Sequence, residues 1–71
     1  MKKIKQHFAV TNKSGNKIAY RNVIAFNSSQ AWELIVDYVE TNWGSMGDEE
    51  EYNAEILNEE EIETEQASNV Y

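Results

Sequence analysis

The sequence predicts a small α+β domain: a β-β-α-β chain with a three-stranded antiparallel sheet, one helix packed on one face, and an acidic C-terminal tail. Three observations carry this reading. Residues 4–26 are β-rich on both sides of a Ser-Gly turn, 27–43 hold apolar residues at helical spacing, and YNAEIL at 52–57 returns to strict alternation. At 71 residues there is material for one small core. Residues 1–63 read as the domain and 64–71 as a flexible polar tail.

IKQHFAV and KIAYRNVIAF are rich in β-branched and aromatic residues, which suit a pleated surface. Between them a three-residue loop, Lys13-Ser14-Gly15 with Gly15 left-handed, closes a type I turn plus bulge. That loop implies a register in which Val10 faces Ile18, Phe8 faces Tyr20 and Ile4 faces Ile24, apolar against apolar. Gln6 opposite Asn22 is the one polar pair, and it marks a bulge near Asn22 or a site at the sheet margin. The other face, with Lys5, His7, Ala9, Thr11, Lys17, Ala19 and Arg21, is expected to be basic and wet.

In NSSQAWELIVDYVETNWG, Asn27 or a following serine caps the first turn. Leu34, Tyr38, Ala31, Ile35, Val39, Trp32, Trp43 and Val36 then fill an arc of roughly 200°, with Glu33, Asp37 and Glu40 opposite. One small sheet does not need so wide an arc, so Trp32, Val36 and Trp43 at its edge are expected to be partly exposed. The helix is predicted over 29–43, with Gly44 as a left-handed stop. The core is expected to set Ile4, Phe8, Val10, Ile18, Tyr20, Ile24 and Phe26 against Ile35, Tyr38 and Val39. SMGDEEE reads as a loop. YNAEIL reads as a short third strand with Tyr52, Ala54 and Ile56 on one face, and NEEEIE as its frayed end. If that strand lies beside the first, Glu55 falls near Lys5 or His7.

Several function classes find no support. Without cysteine there is neither a disulfide nor a thiolate metal site, which fits a reducing, cytoplasmic setting. No apolar run could span a bilayer, and MKKIKQHF lacks the apolar stretch of a signal peptide, so no membrane partner is expected. The lone His7 sits on a strand in an acid-free segment, and no nucleotide-binding glycine motif occurs, so neither an enzyme nor a cofactor is expected. DEEEYNAEILNEE imitates a calcium loop, but its sixth position is Asn53 where a glycine is required. Direct nucleic-acid binding is disfavoured because Phe8 and Tyr20 are expected on the core face, and because a net charge of −7 repels phosphate.

Charge distribution is the strongest functional signal. All six bases lie in residues 1–27 and all thirteen acids in 28–71. The ordinary reading of an acid run is a solvated segment. Here the run flanks a strand, is interrupted by Tyr52, Ile56 and Ile62, and follows Trp43. Ordered carboxylates can imitate the phosphates of a nucleic-acid strand and compete for the groove that neutralises them. The candidate contacts are Asp48, Glu49, Glu50, Glu51, Glu55, Glu59 and Glu60, with Trp43 as apolar anchor. The alternative is a homodimer or larger self-association, in which the basic hairpin of one copy meets the acidic segment of the next.

VTNKSGNKIAY at 10–20, ETNWG at 40–44 and DEEEYN at 48–53 together resemble the type II-A anti-CRISPR family, phage-encoded proteins that mimic PAM DNA and block the PAM-reading site of Cas9. The resemblance covers roughly residues 10–53. It implies a non-enzymatic inhibitor that acts in a bacterial host cell on a nucleic-acid-binding protein such as a Cas effector. Asp48, Glu49 and Glu50 would meet the arginines that otherwise read guanine, and carboxylates suit arginine bidentately. Two features differ from the family: no helix precedes the first strand, and Lys13 stands at the hairpin turn where the family has an acid.

Overall fold

The structure, a computed structural model, describes residues 1–47 and 51–71. Its elements are β1 (Lys2–Asn12), β2 (Lys17–Ala25), α1 (Ser28–Asn42), β3 (Tyr52–Glu63) and β4 (Asn69–Val70). The strands form one antiparallel sheet in the order β3-β1-β2-β4, with α1 across one face. The α+β class and the single helix on an antiparallel sheet are as the sequence implies. The sheet has four strands, not the expected three.

The hairpin loop forms as predicted. Gly15 has φ +83°, its N–H donates to the Asn12 carbonyl at 2.9 Å, and the Asn12 N–H donates to the Asn16 carbonyl at 3.0 Å. The Asn12 side chain also accepts from the backbone N–H groups of Ser14 and Asn16. Thr11 therefore pairs with Lys17. One step further the register slips: Val10 faces Ala19, and Ile18 is the extra residue of a β-bulge. The expected Val10–Ile18, Phe8–Tyr20 and Ile4–Ile24 pairs do not form; Phe8 faces Arg21 and Ile4 faces Ala25.

A one-residue slip moves every later side chain of a strand to the opposite face. Ala19, Val23 and Ala25 now point to the helix, while Ile18, Tyr20 and Phe26 are exposed. Asn22 changes partner with the slip. In the unslipped register it would turn to the helix side opposite Gln6. In the structure it faces His7 and hydrogen-bonds the ring. Ile24 stays buried, on the side away from the helix.

β3 runs on to Glu63, so the NEEEIE expected to fray is sheet. Its partner explains this: β1 is 11 residues long and brings Lys2 opposite Glu63 and Lys5 opposite Glu60. Opposite charges across a ladder stabilise it modestly. Tyr52, Ala54 and Ile56 share one face as predicted, the helix side; a second bulge, at Leu57, sets Glu55 opposite Ala9, with His7 a diagonal neighbour and Lys5 further along the strand.

The fourth strand comes from the stretch that reads as a tail. The Thr64 N–H bonds to the Met1 carbonyl, the Lys3 ammonium bonds to the Gln66 carbonyl, and Ser68 reaches Gln30 at the start of α1. Asn69 and Val70 pair with Ile24 and Val23, and Tyr71 exchanges two backbone hydrogen bonds with Asn22, at 2.7 and 2.8 Å. Local polarity hid this because the pairing partner is remote in sequence.

The Asn27 side chain caps α1 by accepting from the Gln30 N–H at 2.8 Å, and the Gln30 side chain accepts from the Phe26 N–H. Ala31, Ile35 and Val39 are buried against Phe8, Val10, Val23, Ala25 and Ala54. Gly44 is not a left-handed stop. The N–H groups of Trp43 and Gly44 both turn back to the Val39 carbonyl, and a Cβ on Gly44 would lie 3.2 Å from the Tyr52 ring. At this position a side chain would press on the Tyr52 ring.

Candidate interaction surface

β3 is an outer strand of the sheet, and its acids Glu55, Glu59, Glu60, Glu61 and Glu63 are all exposed. An extended chain advances about 3.4 Å per residue, so Glu59, Glu60 and Glu61 carry one carboxylate per roughly 3.4 Å, the axial charge spacing of a single strand of B-DNA. The register divides them between faces: Glu59 and Glu61 lie opposite Gln6 and Ile4 on the helix side, Glu60 opposite Lys5 on the other. Gln6 donates to Glu59, the Lys2 ammonium stands 4.0 Å from Glu61, and the N-terminal ammonium binds Glu63. Glu55 and Glu60 have no ion-pair partner among the described residues. Glu33, Asp37 and Glu40 line the outer side of α1.

Glu51 is exposed beside the hairpin tip, in a shallow hollow shared with Asn12, Lys13, Ser14 and Tyr52. Asp48, Glu49 and Glu50 lie outside the described residues.

Several bases are engaged within the fold. Lys3 is 6% exposed, with its ammonium on the Gln66 carbonyl and 4.8 Å from the centre of the Phe26 ring. Arg21 donates to the Tyr38 hydroxyl and the Tyr20 carbonyl, and its guanidinium stands 5.7 Å from the Tyr38 ring and 5.5 Å from the Trp43 ring. Lys13 and Lys17 remain exposed near the hairpin tip. The outer surface is thus left dominated by carboxylates.

Trp43 has an intramolecular role: it packs on the core and meets Tyr38 edge-on at 5.8 Å. The exposed tryptophan is Trp32, at 45%. It stands over Phe8 and walls a cleft of ≈ 250 Å³ whose other lining residues include Gln6, Ala54 and Ile56. The width of the helical apolar arc signalled Trp32, but its place beside the acidic strand depends on the tertiary fold.

The face away from the helix departs from expectation. Tyr20 lies there, stacked on His7 at 5.9 Å between ring centres, and not in the core. The objection to nucleic-acid binding therefore rests on charge alone, since an aromatic platform is present. Among the described residues no group of three or more His, Cys, Asp or Glu side chains could hold a metal, and no helix is long and apolar enough to cross a membrane.

No protein-family model, curated protein or solved structure matches the chain.

Proposed function

We propose that this protein is a non-enzymatic binding protein whose acidic β3 strand occupies the phosphate-binding site of a nucleic-acid-processing protein and so inhibits it. The observation that carries the reading is the run Glu59-Glu60-Glu61, exposed on an ordered outer strand, with Glu59 and Glu61 on one face about 7 Å apart and Glu60 on the other. Engagement of Lys3 and Arg21 inside the fold supports it, because those cations are not free to compete for the carboxylates. The resemblance to the PAM-mimicking family makes a bacterial Cas effector the first target to try.

The test is capture of partners from bacterial lysate on the tagged protein, at low and at high salt, with mass spectrometry of the eluate. A nucleic-acid enzyme retained only at low salt supports the reading, because charge complementarity between exposed groups is screened by salt. The variant E59Q/E60Q/E61Q should retain its fold and bind that enzyme at least tenfold more weakly, a loss of about 1.4 kcal/mol. Unchanged inhibition by this variant would remove β3 from the mechanism.

The exposed Ile18, Tyr20, Phe26 and Tyr71 favour a second reading, a module that self-associates through its open sheet face. A sedimentation mass that stays monomeric across concentration would dispose of it.

A further inference from the structure

We infer that the outer edge of β3 is a strand-addition site for an extended basic segment of the partner, with one apolar side chain of that segment seated in the Trp32 cleft. The inference rests on the proposed function and makes its contact specific. Three independent features of the edge lead to it. First, β3 is an end strand of the sheet, and among the described residues its outward backbone groups from Asn53 to Glu63 find no backbone partner. The outward N–H of Ala54 is met only by the neighbouring Asn53 side chain, at 2.9 Å. A long unpaired edge is a template for another chain.

Second, the side chains along the edge select the sign of that chain. Glu55, Glu59, Glu60, Glu61 and Glu63 are exposed there, and β3 contains no base. A second copy of β3 would set glutamates against glutamates, which is destabilising, whereas a strand carrying lysine or arginine at alternate positions would pair with Glu59, Glu61 and Glu63 on the helix side. The ladder to β1 already shows this complementarity inside the molecule, with the Lys2 ammonium 4.0 Å from Glu61 and the N-terminal ammonium on Glu63.

Third, the cleft adjoins the edge. Ala54 and Ile56 of β3 form part of its floor and Trp32 one wall, while Phe8 closes its base. Ile56 and Trp32 are both about half exposed. In strand addition the backbone supplies affinity and the pocket supplies register. An incoming strand whose helix-side residues include one leucine or isoleucine would cover this exposed surface.

The experiment uses the full chain and a fluorescein-labelled synthetic peptide alternating lysine and valine, with one leucine in place of a lysine, so that leucine and lysines share the face that meets Ile56, Glu59 and Glu61. Its competitor is the same peptide N-methylated at alternate amides, which keeps charge and apolar content but removes the donors needed for the ladder. Anisotropy should show the N-methylated peptide binding at least tenfold more weakly. Hydrogen exchange should show the Ala54 and Ile56 amides protected on binding of the unmodified peptide. Trp32→Ala, checked for folding by circular dichroism, should weaken the leucine peptide several-fold and leave a leucine-free peptide unchanged.

Equal affinity for the two peptides, or binding without protection of β3 amides, would overturn strand addition and leave a purely electrostatic acidic surface, in accord with the proposed function. Protection of the same amides without peptide, in a protein that runs as a dimer, would assign the edge to a second copy instead. Failure of the proposed function is a separate result: no salt-sensitive nucleic-acid enzyme is captured from lysate, whatever the peptide does.

Discussion

Gly44 shows how a single atom can matter without any special dihedral angle. A methyl group there would stand 3.2 Å from the Tyr52 ring, so the ring or the chain must shift. We expect Gly44→Ala to cost about 1–3 kcal/mol, the usual range for overpacking, read as a lower urea midpoint at unchanged slope. Gly15 fails differently. Nothing lies near its missing Cβ, but its φ of +83° is strained for any L side chain. Gly15→Ala should cost about 1 kcal/mol, and Gly15→Asn less, because asparagine tolerates this region. A ranking in which Asn is worse than Ala would count against that account.

Among the elements, β2 is the one whose two faces compete. Both parities carry apolar residues: Ile18, Tyr20 and Ile24 on one, Ala19, Val23 and Ala25 on the other. The bulge at Ile18 selects the smaller set for the helix. Deleting Ile18 should therefore preserve every pair from Val10–Ala19 onward, since only the unpaired residue is lost. NMR cross-strand contacts between Phe8 and Arg21 should survive, with stability changed by about 1 kcal/mol or less. Loss of the fold would mean that the extra twist of the bulge is itself required. The C-terminal strand is short, so its contribution is limited. Removing 69–71 uncovers the partly buried Val70 site and the β2 edge, and should cost about 1–2 kcal/mol. Faster hydrogen exchange at Asn22 and Ile24 should mark the newly opened edge.

For the whole molecule, the imbalance of thirteen acids over six bases is an energetic load as well as a signal. The described cation contacts are short-range, while the excess carboxylates on β3 and α1 repel one another over longer distances. Salt screens the longer-range repulsion most. Tm should therefore rise by roughly a few degrees between low salt and about 0.5 M NaCl, in a domain of this size. A fall in Tm would show that the Lys–Glu ladder between β1 and β3 outweighs the repulsion. The same salt should weaken binding to a basic partner, so stability and affinity are expected to move in opposite directions.

The sequence by itself determined the helix and a capping residue at Asn27 or a following serine, the Lys13-Ser14-Gly15 turn, the shared face of Tyr52, Ala54 and Ile56, and the segregation of charge. Each of these depends on residues within a few positions of one another, where dihedral preference and spacing act directly. The tertiary structure decided the rest. Whether β2 turns its odd or even residues to the helix is set by the bulge at Ile18 in its pairing with β1, which brings His7 opposite Asn22. NEEEIE is a strand because the length of β1 offers it a backbone partner from Lys2 to His7, and Asn69–Val70 is a strand because it pairs with Val23 and Ile24 of β2. The exposed tryptophan of the candidate surface is Trp32, since Tyr38 and Arg21 engage Trp43. Registers, edges and shared surfaces arise only between segments distant along the chain, where local propensity carries no information.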